Sequence, residues 1–282
     1  MKIGVFDSGY GGLTVLARCL EAVKDHEVAP AFVYYADRDY APYGERSARE
    51  VQALTKRAIE FLIKEEQVDL VVIACNTATS LAIESLRMEC SIPLIGIEPA
   101  IKPASSHQEA GEIILVTATP LMIESERLNR RIHELGLKDR VERLALPGLV
   151  RLAEDDTLTW EMKQAKAKAY LEEKISVSLS ARCGSVVLGC THFPIFLSAY
   201  QVLFQERGIR QIYFADGGKG VARALEQWIQ KQDVPHQESE GASEIRFYQS
   251  GRQVKGDVKQ TFQTLLGQIQ QQFELDENKR RI

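Results

Sequence analysis

The stretch that decides the fold occurs twice in this sequence. Residues 71–77 read Val-Val-Ile-Ala-Cys-Asn-Thr, and residues 186–192 read Val-Val-Leu-Gly-Cys-Thr-His. Each copy is a short apolar run rich in β-branched residues, followed by one small residue, a cysteine and short polar residues. Such a run is typical of a central strand that is covered on both faces of a parallel sheet. The two cysteines, Cys75 and Cys190, therefore predict one site built from two similar halves.

The residues after each cysteine predict a helix, so both thiols are expected at strand-to-helix turns. Ligands of open parallel sheets bind at this edge, outside the carboxyl ends of the strands. A helix N-terminus there supplies N–H donors and positive potential, which would lower a thiol's pKa and attract a carboxylate ligand. A single cysteine at the end of a buried strand is more often a small core residue. The repetition of the cysteine motif favours a catalytic role for both residues.

The segments around each cysteine strand follow one order. Residues 3–6 form an apolar run ahead of the turn 7–12, Asp-Ser-Gly-Tyr-Gly-Gly, and a strand-turn-helix pattern restarts at residue 113. The two strand starts differ by 110 residues and the two cysteines by 115. Offsets this similar indicate an internal duplication.

Strands and helices alternate along most of the chain, which is typical of parallel α/β domains. We predict two similar domains with mostly parallel sheets flanked by helices, related by a pseudo-two-fold axis, with the active site in the cleft between them. The first domain takes residues 1–99 and about 210–282, and the second takes 100–209. The main predicted elements are strands at 3–6, 32–36, 71–74, 94–97, 113–116, 140–146, 186–189, 211–216 and 245–249, and helices at 13–20, 48–66, 78 onward, 121–135, 159–177 and 257–274.

Three smaller features complete this outline. Ser47 and Glu50 predict a capping box at the start of the second helix. Residues 231–244 contain few apolar side chains and are expected to form an exposed loop, and residues 276–281 are expected to fray. Nothing precedes the first strand except Met1 and Lys2, so we expect no regulatory segment there.

Composition excludes several classes of protein. The net charge of −4 and the pI near 5.9 give no basic footprint for nucleic acid. No apolar run approaches the length of about 18 residues that a membrane span needs, and no signal peptide is recognisable. We therefore expect a cytoplasmic protein with no nucleic-acid or membrane partner.

Five cysteines without paired short spacings argue against a disulfide framework. A zinc site at Cys183, Cys190 and His192 would lack a fourth ligand.

Two thiols that face each other across a cleft can invert a stereocentre without a cofactor. One sulfur, as thiolate, removes a proton from carbon, and the other, as thiol, delivers a proton to the opposite face. Asp7 is a candidate neighbour of Cys75, and His192, with Glu154, is a candidate neighbour of Cys190. Three further side chains could donate to a carboxylate: Asn76, Thr77 and Thr191.

Each of these polar residues also has a structural explanation. Asp7 and Ser8 can cap the helix that follows them. His192 can be a hydrogen-bonded core residue, and the asparagine and threonines can be turn residues. The glycine-rich turn after Asp7 lets backbone N–H groups approach an anion. However, it lacks the lysine of a phosphate loop and the fingerprint of a dinucleotide site, so no cofactor is predicted.

Several motifs, in order along nearly the whole chain, resemble those of bacterial glutamate racemases of the aspartate/glutamate racemase family. They comprise residues 3–14 (IGVFDSGYGGLT), 42–47 (PYGERS), 74–80 (ACNTATS), 95–104 (IGIEPAIKPA) and 189–194 (GCTHFP). The resemblance implies cofactor-independent interconversion of L- and D-glutamate for peptidoglycan synthesis, with no metal, in an enzyme that is commonly a homodimer. It implies that Cys75 acts on the D-glutamate side and Cys190 on the L-glutamate side. It further implies that Asp7 and His192 support the thiols, and that substrate is bound by Asp7, Ser8, Tyr43, Gly44, Asn76, Thr77, Thr191 and His192.

The sequence departs from the family pattern at three positions. Met122 stands where a second threonine is frequent, Leu146 where a cysteine is frequent, and Gly217 where a small hydroxyl residue is usual. Three other functions stay open. The chain could be a racemase for aspartate or another small acid, a duplicated binding protein for an acidic amino acid, or a Cys-His hydrolase. The hydrolase is disfavoured because two equivalent thiols are present without an evident oxyanion arrangement.

Overall fold

The computed structural model describes residues 1–26, 29–209, 211–232 and 244–279, the last four by their backbone only. Ten strands lie in these residues: β1 (Lys2–Asp7), β2 (Ala31–Ala36), β3 (Leu70–Ile73), β4 (Leu94–Gly96), β5 (Ile113–Ala118), β6 (Val141–Ala145), β7 (Cys183–Leu188), β8 (Tyr213–Asp216), β9 (Ile245–Gln249) and β10 (Arg252–Gln253). The α-helices of the first half are α1 (Leu13–Val23), α2 (Ala48–Lys64), α3 (Asn76–Glu89) and α4 (Ile101–Ser105). The later helices are α5 (Pro120–Ile123), α6 (Glu126–Glu134), α7 (Pro147–Glu154), α8 (Trp160–Lys174), α9 (Val177–Ala181), α10 (Leu197–Glu206), α11 (Gly218–Ile229) and α12 (Gly256–Lys279).

The strands form two sheets with the same internal order. The first sheet runs β10-β9-β2-β1-β3-β4 and the second runs β6-β5-β7-β8. All neighbouring strands are parallel except β9 and β10. The segment β2-β1-β3-β4 therefore repeats as β6-β5-β7-β8, with β3 and β7, the two cysteine strands, in equivalent places. The predicted fold class, two similar α/β units with mostly parallel sheets, is confirmed.

The central strands are buried because helices cover both faces of each sheet. Every residue of β3, β5 and β7 is buried, which explains their unbroken apolar runs. In contrast, β6 lies at the edge of the second sheet and contains two exposed residues, Glu142 and Arg143. One hydrophobic cluster contains Leu16 of α1 and Phe262 of α12 together with Phe193 of the second half. The two halves thus share a continuous core.

The chain returns to the first sheet after β8. Strand β9 pairs with β2 in parallel, and α12 packs against α1. Strand β8, which lies inside the range 210–282 assigned to the first domain, pairs instead with β7 of the second sheet. We therefore propose that the second domain extends through Asp216, and the boundary near residue 99 stays a prediction.

Side-chain caps mark the start of several helices. The Ser47 hydroxyl accepts a hydrogen bond from the Glu50 N–H, and the Glu50 carboxylate accepts one from the Ser47 N–H, so the predicted capping box is confirmed. The single helix predicted for 121–135 is wrong. It is two helices, α5 and α6, because Ser125 ends one and caps the next by accepting from the Leu128 N–H.

Two further sequence predictions need correction. No helix was predicted for residues 147–154, yet α7 begins there with Pro147 in its first turn. The residues after Cys190 do not enter an α-helix directly, since a short 3-10 turn, Phe193–Phe196, precedes α10. The terminal helix continues through 276–279, where fraying was predicted. Residues 233–243 of the predicted exposed loop, and residues 280 and 281 of the frayed end, lie outside the described residues. No helix in the described part of the chain is both long and apolar enough to cross a membrane.

Candidate active site

The candidate site lies where the carboxyl ends of the two sheets meet. In the first sheet β1 and β3 are neighbours, and the chain leaves them toward opposite sides, which makes a topological switch point. Asp7 ends β1, and Cys75 follows the last residue of β3 by two positions. The second sheet has the same switch point between β5 and β7, and Cys190 follows β7 by two positions. The duplication thus brings both cysteines to equivalent crevices.

Cys75 lies at the N-cap of α3 and is almost completely buried, with 5% of its surface exposed. Its sulfur lies 3.7 Å from the Ser8 hydroxyl oxygen. Burial, together with the charge of Asp7, raises the pKa of the Cys75 thiol to about 12, against the opposing effect of the Ala78 backbone N–H. The expectation that a helix N-terminus lowers the pKa is therefore wrong for this thiol, because desolvation is the larger effect. Cys75 is held as a neutral thiol.

Cys190 begins a chain of three side chains in the second half. Its sulfur lies 3.5 Å from Nδ1 of His192, and Nε2 of His192 lies 2.6 Å from Oε1 of Glu154. Burial alone would lower the pKa of His192, but the hydrogen bonds and charges of Cys190 and Glu154 raise it well above its ordinary value. The same imidazole holds the pKa of the partly buried Glu154 carboxyl below its usual range, although burial acts in the opposite direction. This side of the site thus contains an imidazolium next to a sulfur.

Asp7 connects the two halves. It is fully buried; Oδ1 accepts from the Gly9 N–H at 2.9 Å, and Oδ2 accepts from the Thr191 hydroxyl at 3.0 Å. Burial raises the pKa of Asp7 to about 6, although His192 and both hydrogen bonds act to lower it. The Asp7 carboxyl can therefore exchange a proton near neutral pH while it is hydrogen-bonded to Gly9 of the first half and Thr191 of the second.

The glycine-rich turn allows the two halves to approach this closely. A Cβ atom on Gly11 would lie 2.5 Å from Nδ1 of His192 and 2.5 Å from the Thr191 hydroxyl oxygen, and one on Gly9 would overlap the Glu154 carboxylate. The Thr14 hydroxyl donates to the Thr191 carbonyl oxygen at 3.0 Å, from the start of α1. Such a turn lets backbone N–H groups approach an anion, and in the structure the Tyr10 N–H donates to the carboxylate of Glu154 at 2.6 Å.

The predicted donors for a ligand are buried around the two thiols. Asn76 is 5% exposed, and neither its amide nitrogen nor its amide oxygen has a hydrogen-bond partner among the described residues. The hydroxyl oxygens of Thr77 and Thr119 lie 3.0 Å apart, one from each half. Buried polar groups rarely lack partners, so the free amide of Asn76 is suited to a polar ligand.

Tyr43 and Gly44 are close to this region, but in different ways. The Tyr43 hydroxyl donates to Oδ2 of Asp37 at 2.7 Å, so this hydroxyl is already paired. Gly44 lies against Thr119, and a Cβ there would come within 2.5 Å of the Cβ of Thr119. The backbone of this turn, rather than the phenol group, meets the second half.

Three residues near the site are not identified by the sequence analysis. Thr119 was assigned only to a turn, although the equivalence of β5 with β1 placed it at a switch point. Tyr10 donates its backbone N–H to Oε1 of Glu154 at 2.6 Å, and Arg38 donates to Oε2 at 3.0 Å. No local sequence signal marked the last two, because their partner lies more than 100 residues away. In the described part of the chain, no cluster of three His, Cys, Asp or Glu side chains is placed to hold a metal ion.

Residues 3–213 match the family model described as Asp/Glu/Hydantoin racemase. "Glutamate racemase 2" of Bacillus subtilis (strain 168) is 38% identical over 255 residues, which cover 90% of this chain and 90% of that protein. A glutamate racemase of Lachnospira eligens is 35% identical over 261 residues, 92% of this chain and 94% of the relative.

Solved structures of similar proteins have the same fold. The glutamate racemase from Campylobacter jejuni subsp. jejuni superimposes with a TM-score of 0.70 at 26% identity, over 95% of this chain and 98% of that one. The glutamate racemase from Aquifex pyrophilus superimposes with a TM-score of 0.65 at 28% identity, over 95% of each chain.

Proposed function

Because the chain belongs to the Asp/Glu/Hydantoin racemase family and is an amino-acid racemase, we propose that it interconverts L- and D-glutamate with two cysteine bases and no cofactor. The observation that carries the proposal is the pair of buried thiols, Cys75 and Cys190, at equivalent strand ends of two repeated sheets. The similarity to glutamate racemases along about 90% of the chain supports glutamate as the substrate.

The proposed reaction begins with L-glutamate between the two sulfurs. The thiolate of Cys190 takes the α-proton, which leaves the electron pair of the broken C–H bond on the α-carbon. The thiol of Cys75 then gives its proton to the opposite face, so D-glutamate forms and Cys75 becomes the thiolate. The reverse reaction starts from that state. Restoring the first state requires only that one proton return from Cys190 to Cys75 through neighbouring groups or water.

The different environments of the two thiols favour this starting state. A positively charged imidazole 3.5 Å from the Cys190 sulfur stabilises negative charge there by Coulomb attraction. Burial keeps Cys75 protonated, with a pKa of about 12. In the proposed mechanism His192 supports Cys190, and Asp7, with a pKa near 6, exchanges protons on the Cys75 side.

Substrate contacts belong to the same proposal. The free amide of Asn76 and the hydroxyl of Thr77 would bind the carboxylates, with Ser8 beside Cys75. Thr191, whose hydroxyl donates to Asp7, would line the same site. Asp7 and His192 would contact substrate next to the two thiols, while Tyr43 and Gly44 would contribute through their backbone. The enzyme would supply D-glutamate for peptidoglycan. A homodimer and a cytoplasmic location remain predictions from the sequence.

Proton exchange in D₂O tests the activity directly. We expect purified protein, without added cofactor, to remove the α-proton NMR signal of either enantiomer of glutamate and to abolish its optical rotation. Aspartate under the same conditions is the comparison substrate. Exchange of aspartate but not glutamate would overturn the substrate assignment, and exchange of neither would overturn the reaction.

Single cysteine variants test the two-base mechanism. We expect Cys75→Ala and Cys190→Ala each to lower the racemisation rate by at least about 100- to 10,000-fold, the usual contribution of a general acid or base. Cys183→Ala is the matched control, because Cys183 is a free, buried cysteine at the opposite end of β7 from Cys190. Full turnover by either site variant would exclude the mechanism.

A further inference from the structure

Arg38 lies in the first half but directs its guanidinium at the second. It follows β2 at the start of a short 3-10 turn, Arg38–Tyr40, and its side chain is 14% exposed. Its Nε donates to Oε2 of Glu154 at 3.0 Å, and its Nη2 donates to the Glu154 carbonyl oxygen at 3.1 Å. Nη2 also donates to Oδ2 of Asp156 at 2.9 Å. All three contacts cross between the halves.

Tyr10 fixes the guanidinium from the opposite side. Nη1 of Arg38 donates to the Tyr10 hydroxyl oxygen at 2.6 Å, and the guanidinium carbon lies 3.7 Å from the centre of the Tyr10 ring. The ring is in turn packed edge-on against Phe262 of α12. Arg38 is therefore held in one orientation by a stack and by hydrogen bonds from all of its nitrogens.

This arrangement decides which carboxylate oxygen faces His192. Oε2 of Glu154 is taken by Arg38, so Oε1 is directed at Nε2 of His192 and the Tyr10 N–H. With Nε2 bound to the carboxylate, Nδ1 is the ring nitrogen that faces the Cys190 sulfur. We propose that Arg38 is a positioning residue that holds Glu154 against His192 and thereby orients the imidazole on Cys190.

Only an arginine can make this set of contacts. A lysine has one nitrogen at the end of a flexible stem, and that nitrogen cannot reach Oε2, the Glu154 carbonyl and the Tyr10 hydroxyl together. Arg38→Lys is therefore expected to keep the local positive charge but to lose the orientation of the carboxylate. The contribution of geometry can then be separated from that of charge.

The state of the His192 ring is the first readout, and it does not depend on activity. The chain contains five histidines, so the ring ¹⁵N and ¹H signals can be assigned to His192 by comparison with His192→Asn. We expect Arg38→Gln to shift the ¹⁵N signals of His192 and Arg38→Lys to shift them less. Arg151→Gln is the matched control, because Arg151 pairs with Glu45 across the halves without contacting Glu154. Unchanged His192 signals in both Arg38 variants would overturn the proposal.

The second readout rests on the proposed racemase activity. We expect Arg38→Gln to lower kcat roughly 10- to 100-fold, by analogy with the loss when a group that orients a metal-binding histidine is removed, with a smaller change in KM. Because the Cys190 step becomes slower, the isotope effect with α-deuterated L-glutamate should rise and that with α-deuterated D-glutamate should fall. The acidic limb of the kcat/KM profile should move to higher pH, since Arg38 no longer lowers the pKa of Glu154.

The two readouts separate the two proposals. A wild-type protein that does not racemise glutamate would overturn the substrate assignment, and the ring signals would still decide the role of Arg38. An active wild type whose Arg38→Gln variant keeps kcat, isotope effects and pH profile would overturn the positioning role alone.

Discussion

The two thiols show how similar residues acquire different chemistry. Both follow a buried strand by two positions, but Cys75 has the Ser8 hydroxyl as its neighbour and Cys190 has an imidazole. Burial without a cation raises the pKa of Cys75, whereas the His192 imidazolium places a positive charge beside the other sulfur. The asymmetry that the proposed two-base reaction requires would therefore come from side chains that the duplication did not repeat.

Asp7 provides a residue-scale prediction on pH and stability. Its pKa is raised from 3.8 to about 6 by burial, so the folded state binds its proton more tightly than the unfolded state. The stability that the protonated form contributes is complete below pH 3.8 and is lost as the pH rises through about 6. From pH 5 to pH 8, wild type should lose about 1.4 kcal/mol relative to Asp7→Asn. Urea unfolding of both proteins at the two pH values measures this difference, and parallel curves would contradict the shifted pKa.

The three departures from the family pattern have local explanations. Met122 and Leu146 are buried in the hydrophobic clusters, at 1% and 0% exposure, where apolar side chains are suited. Gly217 lies against the carbonyl oxygen of Glu98, and a Cβ at this position would overlap that oxygen. A residue larger than glycine at 217 would have to move the connection between the halves.

At the scale of elements, the glycine turn 9–12 acts as a contact surface between the halves. We expect Gly11→Ala to destabilise the protein by about 1–3 kcal/mol, the usual effect of overpacking, because the new Cβ meets His192 and Thr191. Activity should fall further than stability, since the overlap displaces His192 itself. Thermal unfolding and the racemisation assay measure the two effects.

A control for that substitution lies in α12. Gly267 is inside this helix, and a Cβ there would meet nothing within 4 Å. Gly267→Ala should therefore stabilise the protein by up to about 1 kcal/mol through helix propensity alone, with unchanged activity. Equal destabilisation by both alanine substitutions would show that loss of glycine flexibility, rather than the contact with His192, explains the Gly11 variant.

Helix α7 is an element that hydrophobic periodicity does not predict. It has only eight residues, with Pro147 in its first turn and Leu149, Val150 and Ala153 buried. These signals are present in the sequence, but a short apolar face does not by itself distinguish a helix from a loop. The helix matters because it ends at Glu154, the partner of His192 and Arg38.

At the scale of the whole molecule, the site is closed. Cys75 is 5% exposed and Cys190 is 7% exposed, so both thiols are largely shielded from solvent in this conformation. Alkylation by iodoacetamide should therefore be much slower at both cysteines than at the partly exposed Cys90. Added glutamate should slow the reaction at Cys75 and Cys190 further. Peptide mass spectrometry over time measures all three rates, and rapid, glutamate-independent labelling of the site cysteines would show that the resting protein is open.

The sequence alone determined the repeated α/β architecture and the equivalent places of Cys75 and Cys190. Both follow from local features, namely the short β-branched runs and the order of strands and helices. A single sequence is therefore enough to predict them. The same holds for Asp7 and His192, which lie next to the strand ends and were identified as neighbours of the thiols.

Only the tertiary structure decided how the two halves fit each other. The contacts of Arg38 and Tyr10 with Glu154, of Asp7 with Thr191, and of the glycine turn with His192 join residues far apart in the chain. The pKa of Cys75 is likewise a tertiary property, because burial raises it more than the backbone N–H at the start of α3 lowers it. Short-range sequence patterns do not predict such contacts, because the residues around each partner are compatible with many different long-range partners.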